Sequence, residues 1–357
     1  MKIVVLPGDG IGPEIMDATL EVLRVADRRL ALGLDFELHG VGLAALKKSG
    51  STFPAEVFER CRAADGIILG PVSHQEYPPR AQGGLNPSGD MRIRLDLYAN
   101  VRPSRTRAGM PHWGRTPMDL VIVRENTEGF YADRNMHVGI GEFMPTPEVA
   151  LAVRKITARA CDRIARNAFA LAMTRRRKVT AVHKQNVMRI SDGLFLERVR
   201  AMAGDYPQVA YDEQLVDSMA AMLVRDAARY DVIVTTNMYG DILSDEAAEL
   251  SGSLGLAGSI NAGEAHCMAQ AQHGSAPDIA GKDRANPASL VLSAAMLLEW
   301  LGIRHDRPEF LRAHRAIDAA LDVLIGDPAR RTADLGGTLG TRAFGAALAR
   351  ELEPRLS

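Results

Sequence analysis

Short, almost wholly apolar runs that recur between longer stretches of helical periodicity constrain this chain more than any other feature. The runs cover residues 2–6, 66–69, 120–123, 179–183 and 232–236. Each has the length of a strand buried on both faces, the pattern of a largely parallel sheet covered by helices. Between them, residues 14–32, 148–173, 193–203 and 215–225 space their apolar side chains at the helical period, and Pro13 stands where a first helical turn tolerates proline. The spacing therefore predicts an α/β chain. No internal repeat and no low-complexity linker interrupts it.

A chain of 357 residues exceeds what one hydrophobic core usually serves, so two domains or one large α/β unit are expected. With 46% hydrophobic and 24% charged residues, and 43 basic against 44 acidic side chains, nothing marks disorder, a nucleic-acid footprint or a membrane surface. The opening "MKIVVLPGDG" is too short for a signal segment, and no apolar run reaches the ~18 residues of a membrane span, so a cytoplasmic protein is expected. Cys61, Cys161 and Cys267 are odd in number and widely spaced, which predicts buried free thiols. The basic run "RRRK" at residues 175–178 precedes a strand and reads as a solvated loop in a charge-balanced chain.

Two glycine-rich loops invite a cofactor. "PGDGIGPE" (residues 7–14) lies between a strand and a helix, but Gly8, Gly10 and Gly12 give GxGxG followed by Pro13, which does not match the dinucleotide fingerprint GxGxxG. A plain turn and a cofactor contact both stay open there. "HGSAPDIAGKDRANP" (residues 273–287) gathers small residues, an imidazole and an acid with little apolar periodicity. In it Asp278 has the chemistry to accept from a ribose diol and to repel a 2′-phosphate; an Asx turn is the alternative.

The chemistry-bearing residues sit at strand ends. In "TTNMYGDILSDEAAELSGSLGL" (residues 235–256), Asp241 and Asp245 are four apart and share a helical face directly after a buried run. Two hard oxygen donors so placed suit Mg²⁺ or Mn²⁺, against the alternative of a solvated acidic face shared with Glu246 and Glu249. "MRIRLDLYANVRP" supplies Arg92, Arg94 and Arg102, and "VIVRENTEGFY" supplies Arg124 and Tyr131. Such a set of guanidiniums has the geometry to clamp a di- or tricarboxylate. Lys184 in "TAVHKQN" closes another buried run, an awkward place for an ammonium unless it meets a carboxylate or moves a proton.

Together these stretches resemble the β-decarboxylating dehydrogenases: the isocitrate, homoisocitrate, 3-isopropylmalate and D-malate/tartrate dehydrogenases. The resemblance runs from "GDGIGPE" through "LDLYANVRP", "VRENTEGFY", "NMYGDILSDEAAELSGSLGL" and "HGSAPDIAGK" to "DLGGTLGT", nearly the whole chain. It implies an isocitrate/isopropylmalate dehydrogenase-like α/β fold rather than a Rossmann fold, with two domains and a cleft. A discontinuous NAD-binding domain would comprise residues 1–99 plus 253–357, and residues 100–252 would carry substrate, metal and the dimer contact. It also implies a homodimer whose sites borrow residues from the neighbour.

Carried over by motif, the resemblance makes Asp241 and Asp245 ligands of Mg²⁺ or Mn²⁺, with Asp217 of "QLVDSMA" reaching the partner's site. Arg92, Arg102 and Arg124 would bind the carboxylates of a malate-type acid. Lys184, from the partner subunit, and Tyr131 would handle protons. His273, Gly274, Ser275, Ala276, Asp278 and Ile279, with Asn286, would hold NAD. The implied reaction removes the C2 hydroxyl proton with help from Lys184 and passes hydride to NAD⁺. The β-keto acid then loses CO₂, and Tyr131 protonates the carbon.

Two departures stand out. Isopropylmalate enzymes place leucines three and four residues before the first substrate arginine, where this chain has Gly89 and Ser88, so an apolar pocket is not evident. The extra arginine of the homoisocitrate type is also absent at that place, with Arg80 or Arg94 as conceivable substitutes. Before the NAD loop, where relatives carry a glutamate in a stretch like "FEPVHG", this chain reads "AQAQHG" and Gln270 stands in for the acid. A non-catalytic regulatory subunit of a heteromer is the competing reading; the full set of ligands argues for an enzyme.

Overall fold

The computed structural model describes the backbone of all 357 residues and every side chain except that of Ala132. The chain forms two compact units, one made of Met1–Leu95, Arg107–Pro111 and Ser253–Ser357, the other of Asp96–Thr106 and His112–Gly252. No helix among the described residues is long and apolar enough to cross a membrane.

The first unit begins with β1 (Lys2–Leu6), α1 (Gly12–Leu30), β2 (Asp35–Leu38), α2 (Leu43–Ser49), α3 (Ala55–Ala63), β3 (Gly66–Leu69) and α4 (Pro87–Arg94). The second unit carries β4 (Ala99–Arg105), β5 (Asp119–Glu125), β6 (Glu142–Thr146), β7 (Val149–Ala152), α5 (Ala158–Met173), β8 (Lys178–His183), α6 (Ser191–Asp205), β9 (Ala210–Leu215), α7 (Val216–Asp226), β10 (Val232–Thr235) and α8 (Asn237–Ser251). The chain then returns to the first unit with β11 (Ile260–Ala262), β12 (Cys267–Gln270), α9 (Ala288–Arg304), α10 (Pro308–Gly326) and α11 (Thr341–Leu352).

In the first unit β2, β1, β3 and β12 run parallel in that order, and β11 pairs antiparallel with β12. Ile3, Val4, Val5 and Leu6 are buried, as the apolar run predicts, and α1 turns Ile15, Leu20, Val22 and Leu23 inward. Each such side chain contributes roughly 1.5–3 kcal/mol relative to exposure. The glycine loop after β1 is a packing device. Gly10 has φ +57°, and a Cβ there would lie 2.0 Å from the backbone oxygen of Ser275, which accepts from Ile11 N at 2.8 Å. Between these glycines, Asp9 accepts from the amides of Leu43 (2.7 Å) and Ser73 (3.0 Å) and from the Tyr77 hydroxyl (2.5 Å). The loop thus ties β1 to the segment that follows β12.

In the second unit β5, β10, β8 and β9 run parallel and β4 lies antiparallel to β5. The strands alternate. Val121, Val123, Val179, Ala181, Val232 and Val234 face a core built with α5 and α6, where Ile164, Phe169, Phe195 and Val199 are buried. Leu120, Ile122, Val182 and Ile233 face the other side, against Met219 and Leu223 of α7 and Leu243 and Ala247 of α8. The parallel pairing brings the C-terminal ends of β5, β8 and β10 to one edge, where helices of an α/β layer begin and ligands usually bind.

One predicted element is corrected. Residues 148–173 do not form one helix: Val149–Ala152 pairs antiparallel with β6, and the helix starts only at Ala158, where the Thr157 side chain caps it by accepting from Ala160 N at 3.3 Å. The cap oxygen satisfies one of the amides a helix start leaves unpaired, and so sets the boundary. The preceding apolar residues serve instead an exposed two-stranded arm, on which Phe143, Met144, Val149 and Leu151 are all exposed.

Candidate active site

The edge formed by β5 and β10 holds the densest set of chemistry. Arg124, next to last in β5, lies opposite Thr235 of β10 and is 1% exposed. A charge so buried must be paired. Its Nε and Nη2 donate to Asn237 Oδ1 at 3.0 and 2.6 Å, Nη2 donates to the Tyr131 hydroxyl at 2.8 Å, and Nη1 pairs with Asp241. Asn237 opens α8 and in turn donates from Nδ2 to Glu128 O at 2.9 Å, fastening the loop that leads to Tyr131. Room for the guanidinium comes from Gly240, where a Cβ would approach the Arg124 Cβ and Cγ to 2.7 and 2.6 Å.

Arg102 of β4 reaches the same helix. Its Nη1 donates to Ser244 Oγ at 2.7 Å and lies 3.0 Å from Asp245 Oδ1 and 3.3 Å from Asp241 Oδ1. Burial and the nearby Arg124 charge lower its affinity for the proton to a pKa of about 10, with Asp241 and Asp245 acting in the opposite direction. Tyr131 donates to Asp241, and its phenol is held above the ordinary value by burial, with Asp241 adding to the effect and Arg124 opposing it. A phenol so placed keeps its proton at neutral pH and remains a donor.

The two α8 carboxylates therefore converge on one cationic atom, the Arg102 nitrogen. That is the donor set a hard divalent cation takes, with water and substrate oxygens completing its shell. Among the described residues of one chain no three His, Cys, Asp or Glu side chains come together, so Asp217 does not join Asp241 and Asp245. Asp217, one residue into α7, instead accepts from Lys184 Nζ at 2.7 Å. That bond holds the Asp217 carboxyl below its usual range. The two meet because β8 and β9 end side by side, His183 opposite Leu215. The buried Asp192 accepts from Lys184 N at 2.5 Å and fixes the start of that loop.

The remaining expected residues lie in the first unit. Arg92 of α4 donates from Nη2 to Gln270 Oε1 at 3.2 Å, and Ser88 Oγ donates to the same oxygen at 2.8 Å. Arg94 does not substitute for a missing arginine: its guanidinium lies 3.2 Å above the Phe58 ring and 3.2 Å from Asp90 Oδ2. Arg80 is highly exposed, 3.9 Å from Asp90 Oδ1.

In the loop after β12, His273 Nδ1 bonds Gly274 O at 2.9 Å while its Nε2 is buried without a partner among the described residues. Burial lowers its pKa, which favours the neutral ring. Ser275 Oγ pairs with Ser73 Oγ at 2.8 Å, and Ala276 holds the left-handed conformation with φ 39°. Gly274 and Asp278 are exposed and Ile279 is half-buried. Asn286 donates to Asp334 Oδ2 at 2.9 Å. The loop thus carries an exposed acid and a buried imidazole nitrogen, a composition that suits a polar ligand. The three cysteines are free and buried.

Asn237, Ser244 and the Ser88–Gln270 contact do not stand out in the sequence. Asn237 had one available signal, its place four residues before Asp241 on the same helical face.

An α/β protein that gathers arginines, paired aspartates and a tyrosine where β4, β5 and β10 meet α8 carries a dense polar and charged site. The sequence model described as "Isocitrate/isopropylmalate dehydrogenase" matches residues 2–348, and the chain belongs to that family. Among its relatives, a 3-isopropylmalate dehydrogenase from Archaeoglobus fulgidus is 40% identical over 96% of this chain and 97% of its own length. An isocitrate/homoisocitrate dehydrogenase from Thermus thermophilus is 40% identical over 99% and 98%. The crystal structure of isocitrate dehydrogenase from Methylococcus capsulatus superposes with a TM-score of 0.87 at 37% identity, covering 99% of both chains.

Proposed function

We propose that this protein is an NAD- and divalent-metal-dependent dehydrogenase acting on the CH–OH group, which oxidatively decarboxylates a C3-substituted D-malate-type acid. The observation that carries the reading is the convergence of Arg102, Arg124 and Tyr131 on Asp241 and Asp245.

Arg92, Arg102 and Arg124 bind the substrate's carboxylates, since planar guanidiniums match them bidentately. Asp241 and Asp245, with Asp217 of a second copy, hold Mg²⁺ or Mn²⁺; His273, Gly274, Ser275, Ala276, Asp278, Ile279 and Asn286 hold NAD. When bound, the cation supplies Lewis-acid polarisation of substrate oxygens and the dinucleotide supplies the hydride acceptor. Lys184 of a second copy assists removal of the hydroxyl proton, and Tyr131, kept protonated by burial and by Asp241, returns a proton to carbon after CO₂ leaves.

The working form is a homodimer with shared sites. Two observations support it: the apolar residues exposed on the β6–β7 arm, and a Lys184–Asp217 pair that forms no three-acid site within its own chain. Ser88 and Gly89, small and without an apolar wall, favour a short or polar C3 substituent over a branched alkyl one.

The test is NADH production with Mg²⁺ or Mn²⁺ against 3-isopropylmalate, isocitrate, homoisocitrate, D-malate and tartrate. One substrate well ahead in kcat/KM names the enzyme; no turnover of any, with NAD still bound, refutes the catalytic reading.

A further inference from the structure

Gln270 is the last residue of β12 and the point from which the loop to His273 departs. Its backbone is pinned on every side. The amide donates to Ser259 O at 3.1 Å, the carbonyl accepts from Ser293 Oγ of α9 at 3.0 Å, and the residue pairs in register with Leu69 of β3. Gln270 is a post on a fixed backbone, because the strand that carries it cannot shift without breaking these bonds.

That post points its carbonyl oxygen at α4. Oε1 accepts from Ser88 Oγ at 2.8 Å and from Arg92 Nη2 at 3.2 Å, with Asn261 Nδ2 at 3.5 Å. An amide oxygen has two lone pairs, and these two closer donors, from successive turns of one short helix, use both. Helix α4 has eight residues and is capped by Asn86, whose Oδ1 accepts from Ser88 N (3.1 Å) and Gly89 N (3.2 Å). A helix this short gains little stability from its own hydrogen bonds, so its contacts with the rest of the unit decide where its side chains point.

We propose that Gln270 is a positioning residue for Arg92: through its carbonyl oxygen, and with Ser88 as second donor, it sets the guanidinium that binds the substrate carboxylate. This rests on the reading of Arg92 as a substrate ligand. The amide does by acceptance alone what a carboxylate would do with an added charge. Ser88, buried against the post, is the small hydroxyl residue this arrangement requires. Because Gln270 also begins the cofactor loop, the same post fixes both segments of the first unit.

The experiment compares Gln270→Ala, Gln270→Glu, Ser88→Ala and the double variant Ser88→Ala/Gln270→Ala with the unaltered protein, on the hydroxy acid of the panel above that it turns over fastest. KM for the hydroxy acid, KM for NAD⁺ and kcat are read separately. Gln270→Ala is expected to raise KM for the hydroxy acid about tenfold with kcat within about threefold, the size of one lost hydrogen bond to a charged group. Gln270→Glu, which keeps an acceptor oxygen at the same reach, is expected to stay within about threefold of the unaltered KM. The double variant is expected to be no worse than Gln270→Ala, because both remove the same hold.

An unchanged KM in Gln270→Ala overturns the proposal, as does a Gln270→Glu variant as impaired as Gln270→Ala, or equal losses in all three constants. If the alanine variant does not fold, Gln270→Glu and Ser88→Ala decide. If the unaltered protein turns over nothing, the functional reading fails on its own. In that case calorimetric titration of D-malate with Mg²⁺ compares the unaltered protein with Gln270→Ala, and equal affinities overturn the positioning role.

Discussion

Replacing Glu128 with glutamine tests how the loop beneath the candidate site is built. Glu128 and Glu125 are each 4% exposed, three residues apart in the turn that leads from Arg124 to Tyr131. The Glu128 carboxylate accepts from Thr157 N at 2.7 Å and Thr157 Oγ1 at 3.0 Å, at the start of α5. Burial above all, and then the neighbouring Glu125 charge, raise its pKa from 4.5 to about 7, against the Thr157 bonds and Lys155, which lower it.

A folded-state pKa above the unfolded one means that the contribution to stability is complete below pH ~4.5 and is lost as pH rises through 7. At ~1.4 kcal/mol per pH unit, the gap corresponds to at most about 3.5 kcal/mol. Glutamine does not titrate, and having a single acceptor oxygen it gives up one Thr157 bond, worth ~1 kcal/mol at every pH. Urea unfolding at fixed ionic strength from pH 4 to 8 should therefore show Glu128→Gln about 1 kcal/mol less stable than the parent at pH 4. By pH 8 the variant should equal or exceed the parent. Stability curves that run parallel across this range would refute the assignment of the titration to Glu128.

Tyr131→Phe should slow decarboxylation by about 100-fold or more while oxidation falls less, seen as release of β-keto acid alongside NADH; equal loss of both steps removes the proton-donor role. Asn237→Ala strips Arg124 of two hydrogen bonds from its most buried side, and kcat/KM should fall roughly 10- to 100-fold; an unchanged value would show that Asp241 and Tyr131 suffice to hold Arg124. Asp278→Ala should weaken NAD⁺ more than NADP⁺, because the exposed acid no longer repels a 2′-phosphate; an unaltered ratio of the two affinities contradicts this.

The strands β1 and β3 were legible to the residue, because a parallel strand covered on both faces must be apolar along its whole length. β2 and β9 were not, since "DFEL" and "AYDEQL" are half exposed and carry charge into the ladder. The β6–β7 arm was misread for the opposite reason. Its apolar residues point to solvent, and periodicity alone does not separate an exposed apolar strand from the first turns of an amphipathic helix.

Among the candidate site residues, the sequence alone singled out which side chains have chemistry to offer, because the carboxylates, guanidiniums, phenol and ammonium stand in long, specific motifs. Which of them meet was decided only by the tertiary structure. Adjacent ends of β8 and β9 hand Lys184 to Asp217, and Gly240 lets Arg124 lie against α8. Arg94, which the sequence offered as a further carboxylate clamp, is taken up by Phe58 and Asp90. Gln270 read in the sequence as a missing charge, and in the fold it is the oxygen that holds Ser88 and Arg92. Sequence spacing encodes the periods of helix and strand, whereas the partners of a buried charge are set by which strand ends pack side by side.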